Sequence, residues 1–263
     1  AETSRGVYNT RLSFYLKLTS DEQPNVVGVG ECATLPDLSC DAMPPNKYER
    51  KLRAFCDEYE RTGIINYEAM RPYPSMLFGI ETAVAQFNAK GSLNFFGTPF
   101  GRGEEGIPIN GLVWMGTFNE MFNRMEEKLK AGYHCVKLKI GSIDFEQELQ
   151  LIQHIRASFS RNDVELRVDA NGGFTPKEAL SRIEALAQYD IHSIEQPIKQ
   201  HQWTEMARLC AQTPLPIGLD EELIGVNDKQ KKIELLDTIR PQYIVLKPSL
   251  HGGMAGTKEW IQL

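Results

Sequence analysis

Short apolar runs that end on a charged residue recur through the second half of the chain. His134–Ile140, Val164–Val168, Ile191–Ile194, Leu215–Leu219 and Tyr243–Leu246 each read as a buried strand. Stretches of helical period lie between and after them, at about Phe145–Phe159, Pro176–Tyr189, Gln202–Ala211 and Asn227–Asp237. Upstream, Pro108–Val113 and Phe118–Ala131 supply a first strand and helix. One helix start is marked by Thr175-Pro-Lys-Glu178, with Thr as N-cap, Pro at N1 and Glu at N3. Alternation of this kind predicts an α/β fold with a parallel sheet, open or closed into a barrel. Six strands can be counted, and Leu263 falls within the sixth helix. Since a closed (β/α)8 barrel needs two more, the expectation is an incomplete barrel that would not be active alone.

The first hundred residues follow another rhythm. Leu12–Thr19 and Val26–Glu31 read as two strands of a hairpin around the polar turn Ser20–Asn25. Asn46–Arg61 and Ser75–Lys90 read as helices, the second with Met76, Phe78, Ile80, Ala83, Val84 and Phe87 as its apolar positions. Strands followed by helices predict a small α+β domain over residues 1–105. The glycine-rich Gly97–Gly106 then leads into the strand–helix region, 106–263.

Composition narrows the class. At 263 residues, 41% hydrophobic and 24% charged, this is an ordinary globular chain. A net charge of −6 argues against a general nucleic-acid binder, because no basic excess is available to neutralise phosphates. The five cysteines lack CxxC spacing and predict reduced thiols, hence a cytoplasmic protein. No apolar run approaches a membrane span, and the N-terminus has no signal-peptide pattern.

Against that background the charged ends of the strands stand out. Lys139, Asp169, Glu195, Asp220 and Lys247 are spaced by about 25 to 30 residues, one strand-plus-helix unit each. If the sheet is a barrel, all five gather at the C-terminal ends of its strands, where barrel enzymes carry their chemistry. Asp169, Glu195 and Asp220 would form an arc of hard oxygen donors, suited to Mg²⁺ or Mn²⁺ rather than Zn²⁺. Lys139 and Lys247 would flank the arc from opposite sides of the ring. Lys137 and Lys139, two apart on one strand, share a face. A lysine beside a divalent cation and a second ammonium is expected to have a depressed pKa and to serve as a base. A metal on a substrate carboxylate would stabilise the enediolate left by proton loss from the adjacent carbon. Proton abstraction next to a carboxylate on a small anionic substrate is the reaction class implied.

Each residue also has a plainer reading. A strand-end carboxylate often caps the next helix, and a strand-end lysine is usually solvated. Five in register make that reading improbable, and lysines inside an apolar strand need a reason. His134, His154, His192, His201 and His251 show no ligand spacing and are expected to be structural or surface residues. Gly252-Gly253 is either an anion-binding loop or a turn into the last helix. Cys32 and Cys40 are read as packing residues rather than nucleophiles, for want of a paired histidine. Two other classes remain open: a metal-free Schiff-base aldolase using one interior lysine, and an inactive barrel fragment.

Val136-Lys-Leu-Lys139, Asp169-Ala-Asn171, Ile194-Glu-Gln-Pro197, Leu219-Asp-Glu221 and Leu246-Lys-Pro-Ser-Leu250 resemble, in order, the motifs of the muconate-lactonising branch of the enolase superfamily. Gly28–Ser39 looks like a specificity loop of that superfamily's N-terminal capping domain. This loop and Lys247-Pro-Ser-Leu make the chain most similar to the o-succinylbenzoate synthase family, hydro-lyases of menaquinone biosynthesis. The resemblance implies a (β/α)8-type barrel under an α+β capping domain. It implies Mg²⁺ on Asp169, Glu195 and Asp220, Lys139 as the base, and Lys247 as a cation facing the enediolate. Lys137 and Asn171 would contact substrate, and Thr3–Tyr8 with Leu35–Ser39 would close the site. The substrate implied is 2-succinyl-6-hydroxy-2,4-cyclohexadiene-1-carboxylate. Racemases of N-acylamino acids and dipeptide epimerases of the same superfamily are the alternative, using both lysines as acid and base.

Overall fold

The structure is a computed structural model that describes residues 2–3, 6–7, 9–141 and 144–263. Two short strands, β1 (Glu2–Thr3) and β2 (Gly6–Val7), pair antiparallel at its start. The expected hairpin follows as β3 (Phe14–Leu18) and β4 (Gly28–Cys32), also antiparallel. Three helices cover it: α1 (Pro45–Thr62), the short α2 (Tyr67–Met70) and α3 (Pro74–Asn88). Their apolar faces meet in a buried cluster of Tyr48, Leu52, Phe55, Met70, Met76, Leu77 and Ile80 with Cys32.

Gly28–Ser39, likened to a specificity loop, begins within the expected second strand of the hairpin. Gly28 and Gly30 face α3 so closely that a Cβ would lie 1.9 Å from the Ala83 carbonyl oxygen and 1.8 Å from that of Gly79. These glycines let a strand lie against a helix backbone, a packing demand rather than a ligand-binding one. The loop proper is the turn after Ala33, where Ser39 Oγ accepts from the Leu35 N–H at 2.9 Å.

The second half alternates strand and helix as its apolar runs predict. In order come β5 (Gly111–Val113), α4 (Phe118–Lys130), β6 (Cys135–Lys139), α5 (Phe145–Ser158), β7 (Glu165–Asp169), α6 (Pro176–Ala187) and β8 (Ile191–Glu195). Next are α7 (Trp203–Gln212), β9 (Ile217–Leu219), a 3₁₀ turn (Glu221–Leu223), α8 (Lys229–Ile239), β10 (Tyr243–Ile244) and α9 (Gly253–Gln262). The six strands form one parallel sheet in chain order from β5 to β10. Among the described residues β5 and β10 are its edges, so the sheet is not closed.

Strand β6 shows why the lysines face inward. Val136 and Leu138 are fully buried and belong to the large core cluster with residues of α4, α5 and α6. Each contributes about 1.5–3 kcal/mol by burial. A slip of one residue would drive Lys137 and Lys139 into that apolar layer instead, so the register is strongly specified.

The start of α6 lies where the sequence puts it, with Thr175 as N-cap and Pro176 first in the helix, but its side-chain bonding differs from a full capping box. At α6, the Thr175 hydroxyl makes no bond to the helix backbone; it pairs with Glu178 Oε2 at 2.5 Å, while Arg182 holds the other oxygen of that carboxylate at 2.6 Å. The complete capping box is at α4, between Thr117 and Glu120. The five cysteines are unbridged. No helix among the described residues is long and apolar enough to cross a membrane.

Candidate active site

Register builds one half of the site. Lys139 on β6 lies beside Asp169 on β7, which lies beside Glu195 on β8. All three are last residues of their strands. Lys139 Nζ donates to Asp169 Oδ2 at 2.5 Å and to Asn171 Oδ1 at 2.7 Å. Lys137, one layer down, reaches up to Glu195 Oε2 at 2.7 Å and Asp169 Oδ2 at 3.2 Å. Arg167, which sequence reasoning did not single out, shares that lower layer opposite Lys137 and pairs with Glu165 at 2.7 Å. Trp114, just past β5, presents its ring 5.6 Å from Lys139 Nζ. Its backbone carbonyl is held by Arg124 at 2.9 Å.

The other half is built by turns. Asp220 follows β9 and opens the 3₁₀ turn. Lys247 stands three residues beyond the two-residue strand β10 and forms an ion pair with Asp220 Oδ2. The expected five residues thus run as Lys139–Asp169–Glu195–Asp220–Lys247, with a lysine at each end and Lys137 beneath. Asn171 joins the two halves. Its left-handed backbone (φ 44°) lets its N–H reach Asp169 Oδ1 at 3.0 Å, while its Nδ2 donates to Glu221 Oε1 at 3.0 Å.

Two residues that the sequence did not reveal fix these turns. Gln196, fully buried at φ 40°, accepts at Oε1 from the N–H groups of Asp220 and Glu222, both at 3.1 Å. It ties the turn after β8 to the turn after β9, and so Glu195 to Asp220. His251, also fully buried, accepts the Lys247 N–H at Nδ1 at 2.9 Å. The neutral imidazole therefore carries its proton on Nε2. A histidine buried without a carboxylate partner gives no sequence signal, because ligand spacing is not what places it.

Burial and charge set the protonation of the site. Burial works against the charge of Asp169, but Lys139 and Lys137 outweigh it and hold the carboxyl below its ordinary range. Glu195 is pushed up to about 8 by burial and by the charge of Asp169, which Lys137 only partly offsets. Burial likewise opposes the charge of Lys137, yet Asp169 and Glu195 keep its ammonium above the usual value. His251 is pushed down to about 4 by burial, then by the ammonium groups of Lys247 and Lys232.

Among the described residues no three His, Cys, Asp or Glu side chains are drawn together as a ready metal site. The lysines hold one oxygen from each carboxylate. The remaining donors nonetheless fit a hard cation: Glu195 Oε1 and Asp220 Oδ1 are buried without a hydrogen-bond partner. A carboxyl raised to about 8 between two other carboxylates marks a place short of positive charge. Of the segments expected to cover the site, Thr3–Tyr8 lies outside the described residues apart from its strand backbone. Leu35–Ser39 is anchored within the N-terminal region, and neighbouring Cys40 meets Asn227, whose Nδ2 lies 3.6 Å from its Sγ.

Comparison with known proteins agrees with this architecture. Residues 120–263 match the family described as Enolase C-terminal domain-like. An o-succinylbenzoate synthase of Desulfotalea psychrophila is 41% identical over 294 residues, covering 100% of this chain and 78% of the relative. The crystal structure of MenC from that organism superimposes with a TM-score of 0.80 at 39% identity, over 96% of this chain and 77% of that one. L-Ala-D/L-Glu epimerase of Bacillus subtilis is 32% identical over 142 residues, covering 53% of this chain and 38% of the relative. A parallel strand-and-helix sheet under an N-terminal α+β unit, with this extent of identity, places the chain in the enolase superfamily, in its o-succinylbenzoate synthase family of hydro-lyases.

Proposed function

We propose that the protein dehydrates 2-succinyl-6-hydroxy-2,4-cyclohexadiene-1-carboxylate to o-succinylbenzoate in menaquinone biosynthesis. Residues 1–105 would act as the capping domain and 106–263 as the barrel domain. The observation that carries this reading is the arc of three carboxylates with a lysine paired at each end, Lys139 on Asp169 and Lys247 on Asp220. Its similarity to a synthase along the whole chain supports the choice of substrate.

Asp169, Glu195 and Asp220 would hold Mg²⁺, or Mn²⁺, which when bound neutralises the substrate carboxylate as negative charge gathers on it. Lys139 would be the base. The C–H bond alpha to the ring carboxylate breaks and its proton moves to Nζ of Lys139. The ring C–O bond then breaks, the same proton leaves with the oxygen as water, and the ring becomes aromatic. Lys247 stays cationic and faces the enediolate charge. Lys137 positions the substrate carboxylate, and Asn171 fixes the direction of the Lys139 amine.

Incubation of the protein with the cyclohexadiene substrate and Mg²⁺ tests this reading, with aromatic absorbance as the expected result. No aromatic product, together with turnover of a dipeptide or an N-acylamino acid, would assign the site to epimerisation instead.

A further inference from the structure

The Gly252-Gly253 pair is the turn into α9, and the N–H groups that follow it receive a carboxylate from the same chain. Glu81, buried on α3 of the N-terminal region, reaches across to the start of α9. Its two oxygens accept from the N–H groups of Met254 at 2.5 Å and Ala255 at 2.9 Å. The N-cap residue Gly252 offers no side chain, so α9 takes its cap from a carboxylate 173 residues away. Gly253 is required by this contact: its φ is +70°, and a Cβ there would stand 2.2 Å from Glu81 Oε2.

The capped end is continuous with Lys247. The Lys247 carbonyl accepts from Leu250 at 2.8 Å and His251 at 3.0 Å, and the Lys247 N–H donates to His251. Pro248 O accepts from Gly253 at 2.8 Å. Residues 247–255 therefore form one hydrogen-bonded turn, with Lys247 at one end and the Glu81 carboxylate at the other. The sheet offers little support here, since its last ladder bond is from Val245 to Leu219. The Lys247 side chain is 43% exposed while its partner Asp220 is buried, so packing alone does not hold it.

We propose that Glu81 is a positioning residue: by capping α9 from the N-terminal region it holds the turn that aims Lys247 at Asp220. The proposal rests on the reading of Lys247 as a cation of the site. It makes the N-terminal helix part of what sets the barrel's chemistry.

The test uses Glu81→Gln and Glu81→Asp in the whole protein. Lys232 donates to Gly256 O at 3.1 Å and pairs with Glu259 at 2.8 Å, so α9 keeps a second attachment when Glu81 changes. Glu81→Gln retains the shape but offers one acceptor for two N–H groups. Amide exchange over 247–255 is expected to quicken about tenfold or more, as for loss of a charged hydrogen bond. Exchange in β7 should stay unchanged. The kcat should fall by about 10- to 100-fold, the scale of a displaced catalytic group, with KM little altered. Glu81→Asp, which keeps the charge, should recover part of both. Unchanged exchange over 247–255, or faster exchange throughout the chain, would overturn the proposal, as would wild-type kcat in Glu81→Gln. Lys247→Ala separates the two failures. If it keeps full activity, the site reading fails; if it loses activity while Glu81→Gln does not, only the role of Glu81 fails.

Discussion

The two lysines that end the carboxylate arc are held in different ways. Lys139 is part of a ladder: it lies on a five-residue strand, in register with Asp169, over a fully buried Val136 and Leu138. Moving it means breaking sheet hydrogen bonds and exposing core. Lys247 lies past a two-residue edge strand and depends on side chains for its place: His251 on its own N–H, and Glu81 at the far end of the turn. One is fixed by secondary structure, the other by tertiary contacts. A proton must be taken at a defined atom, whereas a stabilising charge tolerates a small displacement. The rigid lysine is the one proposed as base.

The sharpest break of this comparison is to remove each lysine in turn. Lys139→Ala should lower kcat about 10⁴-fold, the upper range for loss of a general base. Lys247→Ala should cost less, about 10²- to 10³-fold, the scale for one electrostatic stabiliser. Steady-state kinetics on the cyclohexadiene substrate reads both. Equal losses, with turnover of an epimerase substrate that both variants lack, would mean two equivalent proton-transfer groups.

Asp220 is the partner of the tertiary-held lysine and one of the three expected metal donors. Asp220→Ala is expected to lower Mg²⁺ affinity by at least about tenfold in calorimetry, since one of three charged ligands is lost. The residue ends a strand rather than filling the core, so the melting temperature should shift by only a few degrees, about what 1 kcal/mol does in a domain of this size. Undiminished Mg²⁺ binding would remove Asp220 from the donor set.

What could be read in the sequence follows the same division. Lys137, Lys139, Asp169 and Glu195 are legible because a strand has a period of two and ends where its apolar run ends. Asp220 and Lys247 are legible from spacing and motif resemblance, though no strand carries them. Gln196 and Glu81 escape because each acts on backbone N–H groups of a distant turn, and nothing local to a glutamine or glutamate says which turn it will meet; His251, read as structural or surface, bonds the Lys247 N–H four residues back, which no ligand spacing marks. The one trace was Gly252-Gly253, read as an anion-binding loop or a turn into the last helix, with no sign of its partner; both residues prove left-handed. Gly28 and Gly30 fall in the expected hairpin strand, but their close approach to the α3 backbone is a tertiary contact that the strand pattern does not show.

Smaller effects come from the imidazole that supports Lys247. His251→Phe keeps the ring volume and removes the acceptor for the Lys247 N–H. It is expected to lower kcat about tenfold, the cost of one buried hydrogen bond, and to leave Mg²⁺ affinity alone. The equivalent loss on the other side, Asn171→Ala, should be larger, because Asn171 touches the base itself.

Stability against pH provides the finest measure. His251 has a folded pKa of about 4 against an ordinary 6.5, depressed by burial and by the facing ammonium groups of Lys247 and Lys232. Between those values the unfolded chain binds a proton that the folded one refuses, so stability rises with pH across that window and is lost as pH falls through it. A cation held on Asp220 would act in the same direction. The contribution is at most on the order of 3 kcal/mol. Denaturant titrations of the wild type and His251→Phe between pH 4 and 7 should therefore diverge, the wild type gaining stability relative to the variant as pH rises. Parallel curves would mean that the imidazole is not held neutral, and that the turn carrying Lys247 is open enough to admit water.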